Sequence, residues 1–247
     1  MISVEKIKDA LLQQRRIELS GNLYYKTQID FCYNTNHMEG STITKDETMS
    51  IYDTGTILTD GEKVVSLVDM TETKNHFTLF KYMLDTLEEP LTEEMIKKFH
   101  FILKNGTLKD KEVGVINVGD YKKLKNYAGD QVTSNPKDVE KHMKELLDNY
   151  NSIKEKKLED IIDFHVNFET IHPFQDGNGR VGRIIIFREC LANNIMPFFI
   201  EERNKQFYIR GLKEYRKGEK GFLIDTCLNS QDNYRQMCEY LLEGMDD

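Results

Sequence analysis

His172-Pro173-Phe174-Gln175-Asp176-Gly177-Asn178-Gly179-Arg180-Val181-Gly182-Arg183 is the stretch on which the reading of this chain turns. Pro173 and Gly177 bracket a turn between a helix ending near Ile171 and another starting near Asn178. Glycines at that start let an anion approach the backbone N–H groups of the first helical turn, where the helix dipole favours negative charge. Arg180 and Arg183 are spaced i, i+3, so both guanidinium groups share one helix face and are suited to gripping successive phosphates. Asp176 is a hard oxygen ligand of the kind Mg²⁺ takes beside phosphates, and His172 is a side chain able to accept a hydroxyl proton near neutral pH. Taken singly these are a Gly-rich turn with surface arginines; as an ordered set they imply transfer of part of a nucleoside triphosphate.

Outward from this turn, spacing near 3.6 residues dominates. Helices are expected over residues 4–19, 26–38, 63–87, 137–151, 158–171, 178–193, 203–216 and 219–242, with Gly40 stopping the second. Thr44 and Glu47 form a capping-box pattern that starts a short helix to about Ile51, and Thr92 caps another through Leu103. Between 111 and 135 the pattern changes to Gly114, Gly119, Gly129 and Asn135-Pro136, with Val113 alternating with Val115. The expected fold is all-α, with one small β-hairpin near 113–130. No repeat or linker divides the chain; residues 1–60 are read as N-terminal helices and 61–247 as the core with its C-terminal helices.

The 247 residues carry a net charge of −8, which argues against a broad nucleic-acid surface. Cys32, Cys190, Cys227 and Cys238 lack metal-ligand spacing and read as buried free thiols. His37, His76, His100, His142 and His165 show no ligand-like spacing among themselves. A signal-peptide core and an 18-residue apolar run are both missing, so a soluble cytoplasmic protein without membrane contact is expected.

The motif resembles the Fic family signature HPFx(D/E)GNGRxxR, matched here at His172, Pro173, Phe174, Asp176, Gly177, Asn178, Gly179, Arg180 and Arg183. The resemblance covers roughly residues 90–230 and implies a Fic-fold helical bundle that binds ATP and Mg²⁺. It further implies transfer of AMP to a Ser, Thr or Tyr hydroxyl of a target protein, or of the chain itself, releasing pyrophosphate. His172 is then the base and Asp176 the metal ligand. The backbone of Gly177–Gly179 and the side chain of Asn178 hold the α- and β-phosphates, Arg180 supports the anion site, and Arg183 receives the γ-phosphate. Phe174 reads as a core anchor. The intact Gly177-Asn178-Gly179-Arg180 argues against the Doc-like kinase branch.

The segment Asp120 to Gly129 resembles the Fic flap, which holds a target segment by strand pairing. Its Asn126, Tyr127, Ala128 and Gly129 are set by the resemblance beside the nucleotide. Lys122, Lys123 and Lys125 could draw acidic targets or form a solvated turn. Tyr208 matches the tyrosine that lines the family's adenine pocket.

Thr35-Asn36-His37-Met38-Glu39-Gly40 resembles the (S/T)xxxE(G/N) inhibitory motif of the branch whose restraining helix precedes the core. Glu39, pairing with Arg183, would occupy the group that the γ-phosphate needs. Thr35 and Gly40 complete that motif; by itself it also fits a helix ending in a capping glycine. The same glutamate could orient a water for removing AMP. The readings kept open are a de-AMPylase, a transferase of another nucleotide, and a nucleotide-sensing module without turnover. Family resemblance also suggests a homodimer. The target and what relieves the restraint are not readable.

Overall fold

The computed structural model describes residues 2–17, 19–58, 62–107, 117–129 and 131–242. Among these, the chain folds into ten α-helices and a two-stranded ribbon. The helices are α1 (Val4–Gln14), α2 (Leu23–Met38), α3 (Lys45–Thr54), α4 (Leu67–Asp85) and α5 (Glu93–Lys104). After the ribbon come α6 (Val139–Asn151), α7 (Leu158–Ile171), α8 (Asn178–Ala192), α9 (Lys205–Tyr215) and α10 (Gly221–Leu242). The fold is all-α, as expected, and none of its described helices is long and apolar enough to cross a membrane.

Local chemistry accounts for most boundaries. Ser3, Asn22, Thr44, Ser66 and Thr92 each accept a hydrogen bond from a first-turn N–H, and the Thr44–Glu47 box is reciprocal. Two expected helices are shorter than their apolar patterns. The first stops at Gln14, not residue 19, because Ile17 and Leu19 are exposed and no apolar face remains to bury. The expected 63–87 helix begins after the Ser66 cap, leaving Val64 outside and exposed.

The ribbon pairs β1 (Tyr127–Ala128) with β2 (Gln131–Val132) antiparallel, Tyr127 facing Val132. It lies at the C-terminal end of the stretch expected to hold a hairpin; Val113, Gly114 and Val115 lie outside the described residues. α8 is buried on nearly every side, from Asn178 to Leu191, so its N-terminus is held at the centre of the molecule. Around it one continuous core runs from Ile7 of α1 to Leu242 of α10. Within that core, Phe31 of α2 packs against Phe80, Phe187 and Phe199 at centroid distances of 6.3, 5.4 and 5.6 Å. The N-terminal helices are therefore joined to the helix that carries the motif.

Removing the α3 cap by Thr44→Ala should lower stability by about 1 kcal/mol. Thermal unfolding should then shift down by roughly 2–4 °C; an unchanged midpoint would count against the cap.

Candidate active site

α7 ends at Ile171, and His172 caps it in the left-handed region, φ 52°. The chain crosses five residues and enters α8 through Gly177, φ 81°. Asn178 closes this loop on itself: its Oδ1 accepts from Phe174 N and its Nδ2 donates to Phe174 O, both at 2.8 Å. The Phe174 ring is fully buried and stacks on His100 with centroids 3.9 Å apart and planes 7° from parallel. Gly119 N donates to His100 Nδ1 at 3.0 Å, so the ring proton is on Nε2 and donates to Asp176 O at 3.1 Å. Burial holds His100 neutral, its pKa pushed down to about 3.

The flap is pinned to the same loop. Lys122 N donates to Pro173 O at 2.8 Å, and Asn126 Nδ2 donates to Phe174 O at 2.8 Å. Lys122 Nζ is buried, donating to Asn126 Oδ1 and Thr133 Oγ1 at 2.7 Å each and to Ile171 O at 3.2 Å. Three expectations change here. The amides of Asn178 and Asn126 hold backbone and flap, so neither side chain is left to grip a phosphate. Lys122 is an internal tie, with burial lowering its pKa to about 8. Of the flap residues expected beside the nucleotide, Ala128 and Gly129 line the cavity, while Tyr127 is 66% exposed.

That cavity, about 940 Å³, is lined by His172, Gly179, Arg183, Glu39 and Tyr208. Burial, reinforced by the Lys122 ammonium, pushes His172 down to about 4, so its imidazole is neutral at pH 7 and can take a proton. The first N–H groups of α8 have no side-chain cap. An uncapped helix start in a cavity is a site for an anion.

The two arginines part company. Arg180, buried, binds Glu72 of α4 and donates to Asn36 Oδ1 at 3.3 Å. Glu72 also binds the buried Lys104, whose Nζ reaches Asp176 Oδ2 at 2.8 Å. Arg180 thus anchors a buried charge chain, Arg180–Glu72–Lys104–Asp176, and is not aimed with Arg183 at successive phosphates. Arg183 is held by α2: Nε donates to Thr35 Oγ1 at 2.7 Å, and Nη2 to Thr35 O at 3.2 Å and Glu39 Oε1 at 2.6 Å. Burial would raise the Glu39 carboxyl, but Arg183 and Arg180 outweigh it and hold it below its ordinary value. Gly40 follows in the left-handed region, φ 96°. The contact also requires Gly179, where an added Cβ would lie 2.5 Å from Glu39 Oε1.

Asp176 and Arg180 line a second cavity of about 120 Å³, and Glu39 is the one residue on the walls of both. The Glu39 side chain therefore stands between the carboxylate of Asp176 and the space that holds His172. Tyr208 is buried against the cavity, its hydroxyl 2.6 Å from His165 Nε2, which gives His165 a partner other than a metal. The four cysteines are buried and free. Among the described residues no cluster of three or more His, Cys, Asp or Glu could hold a metal. Asp176 alone still fits Mg²⁺, which binds one or two carboxylates and completes its shell with phosphates and water. The parts played here by His100, Lys104, Glu72 and Glu169 have no local pattern in the sequence.

The geometry is thus a helical core around a histidine-ended turn and an uncapped helix start. Residues 90–189 match the family model described as Fic/DOC family, and that part of the chain is a Fic domain. A Fic-domain-containing signaling protein from Bacteroides thetaiotaomicron superposes with TM-score 0.78 at 19% identity, covering 98% of this chain and 97% of that one. The protein adenylyltransferase Fic of Nematostella vectensis is 26% identical over 194 residues, 76% of this chain and 43% of its own. A probable protein adenylyltransferase of Aquifex aeolicus is 39% identical over 72 residues, 28% of this chain and 22% of its own. The chain spans less than half the length of these two relatives.

Two measurements probe the site's internal supports. Lys122→Met removes the donor shared by Asn126 Oδ1, Thr133 Oγ1 and Ile171 O, so amide exchange across residues 121–129 and 131–133 should quicken at least tenfold, while exchange in α8 stays slow. Glu169 is buried and its carboxyl is raised from 4.5 to about 7. The unfolded chain releases that proton first, so stability falls as pH climbs from 4.5 through 7. Glu169→Gln should match the parent near pH 4.5 and melt several degrees higher at pH 8; a gap independent of pH would contradict this.

Proposed function

We propose that this chain is a protein adenylyltransferase that moves AMP from ATP to a hydroxyl of a target protein and is restrained by its own α2. The observation that carries this reading is one cavity shared by a neutral, base-competent His172, the uncapped start of α8 and an arginine already occupied by a carboxylate. Adenylyltransferase names among its relatives agree with it.

In the reaction, the backbone N–H groups of Asn178 and Gly179 at the start of α8 receive the inner phosphates and Arg183 the γ-phosphate; the Gly177 N–H is held by Asp176 Oδ1 at 2.8 Å. His172 takes the acceptor hydroxyl's proton as that oxygen attacks the α-phosphorus, and pyrophosphate leaves. Asp176 would hold Mg²⁺, which supplies charge neutralisation across the phosphates. The edge of the β1–β2 ribbon can hold the target backbone, orienting a hydroxyl while reading little of its sequence. Tyr208 forms part of the wall for the base.

Restraint follows from occupancy of Arg183. The Glu39 carboxylate fills the place of a γ-phosphate and separates Asp176 from the cavity of His172. A charge-assisted bond of this kind contributes roughly 1.5–3 kcal/mol, or about ten- to hundredfold in competent binding. With radiolabelled ATP, Glu39→Gly should raise AMP transfer by about that factor, and His172→Ala in the same background should abolish it. Equal labelling with and without Glu39 would rule out the restraint. Labelling that survives His172→Ala would rule out the base.

A further inference from the structure

Glu169 is a buried carboxylate in the same cavity to which the reaction above gives no task. It lies one turn before His172, with Oε2 3.7 Å from His172 Nδ1. That nitrogen and Glu169 Oε1 are both shut off from solvent, and neither has a side-chain hydrogen-bond partner; from the main chain, the Glu169 carbonyl faces the ring. A buried carboxylate with one oxygen unpaired, lying beside a ring nitrogen, calls for a reason. A separation of 3.7 Å is too long for a hydrogen bond, but such bonds are commonly long before substrate arrives. Room for the carboxylate comes from Gly182, where an added Cβ would fall 2.8 Å from Glu169 Oε1.

We propose that Glu169 is a positioning residue for the base: its carboxylate accepts the Nδ1–H of His172, fixing the tautomer in which Nε2 is the accepting nitrogen. When the acceptor O–H breaks, the proton goes to Nε2. The Nδ1 proton stays on its nitrogen, and Glu169 stabilises the imidazolium without taking a proton. The inference rests on the AMP-transfer reading and deepens it.

Several charges set how Glu169 ionises. Burial raises it to about 7, Arg183 of α8 and Arg216 beyond α9 lower it, and Glu39 of α2 raises it; Tyr208 of α9 and the flap's Lys122 face the pair. Glu39 thus acts twice, filling Arg183 and keeping Glu169 protonated to a higher pH. Its departure releases both.

The test uses the full chain carrying Glu39→Gly, with Glu169 intact or changed to Asp, Gln or Ala. Glu169→Gln should lower kcat about ten- to hundredfold, the range typical of partners that orient a functional histidine, with KM for ATP within about twofold. Its kcat/KM profile should lose the parent's acid limb below pH 7, Asp should restore part of the rate, and thermal stability should not fall. In the nucleotide-free protein, ¹⁵N shifts of His172 should report one Nδ1–H tautomer with Glu169 and a mixture in Glu169→Ala. The main-chain carbonyl of Glu169 also faces the ring. Unchanged kcat, acid limb and tautomer in Gln and Ala would assign the role to that carbonyl and overturn the proposal. If the Glu39→Gly parent shows no transfer, the functional reading fails, and the ¹⁵N comparison still decides Glu169.

Discussion

The two hydrogen bonds between the Asn178 amide and the Phe174 backbone are the constraint on which the site depends. They fold five residues into a closed ring at the entrance of α8 and use up the polar groups of Phe174. His100, Asn126 and Lys122 then brace that ring from α5 and from the flap. Only within such a frame can His172 hold a left-handed backbone, a conformation that costs a non-glycine residue about 1–3 kcal/mol unless its surroundings enforce it. The base is oriented by the scaffold before any ligand contributes.

Charge is the second organising feature. Arg180, Arg183, Lys104, Glu72 and Glu169 are all nearly removed from solvent, in a place where an isolated charge would be prohibitive. Each cation has a carboxylate near it, and the set divides into two groups. Arg180, Glu72 and Lys104 form a closed structural unit that ends on Asp176. Arg183 depends on Glu39, a side chain still 36% exposed and able to leave. A ligand phosphate can replace that partner; none can readily replace Glu72, which is bound from two sides.

The sequence disclosed the helices and the motif for a physical reason. Amphipathic spacing and side-chain caps are local, so Thr44, Thr92 and the 158–171 periodicity could be read directly. The His172–Arg183 turn was legible because its chemistry is contiguous. What stayed hidden is long-range: Arg180 meets Glu72 across 108 positions, and Lys104 meets Asp176 across 72. Nothing near Arg180 distinguishes a phosphate-facing arginine from one locked to another helix. The amides of Asn178 and Asn126 misled in the same way, since residue type does not tell which of two nearby acceptors wins.

Phe31 and Thr27 make α2 more than a lid. Phe31 is wedged among aromatic rings, and the Thr27 hydroxyl is 2.9 Å from that of Tyr234 on α10. Uprooting the helix would expose Phe31, which alone is worth about 3–5 kcal/mol. Taking the Glu39 carboxylate off Arg183 requires only that one side chain swivel, while the Thr35 contacts to the same guanidinium stay in place. The ratchet tooth is movable while the wheel stays fixed, so a cleavage that severs α2 would unravel the catalytic body and not merely unlock it.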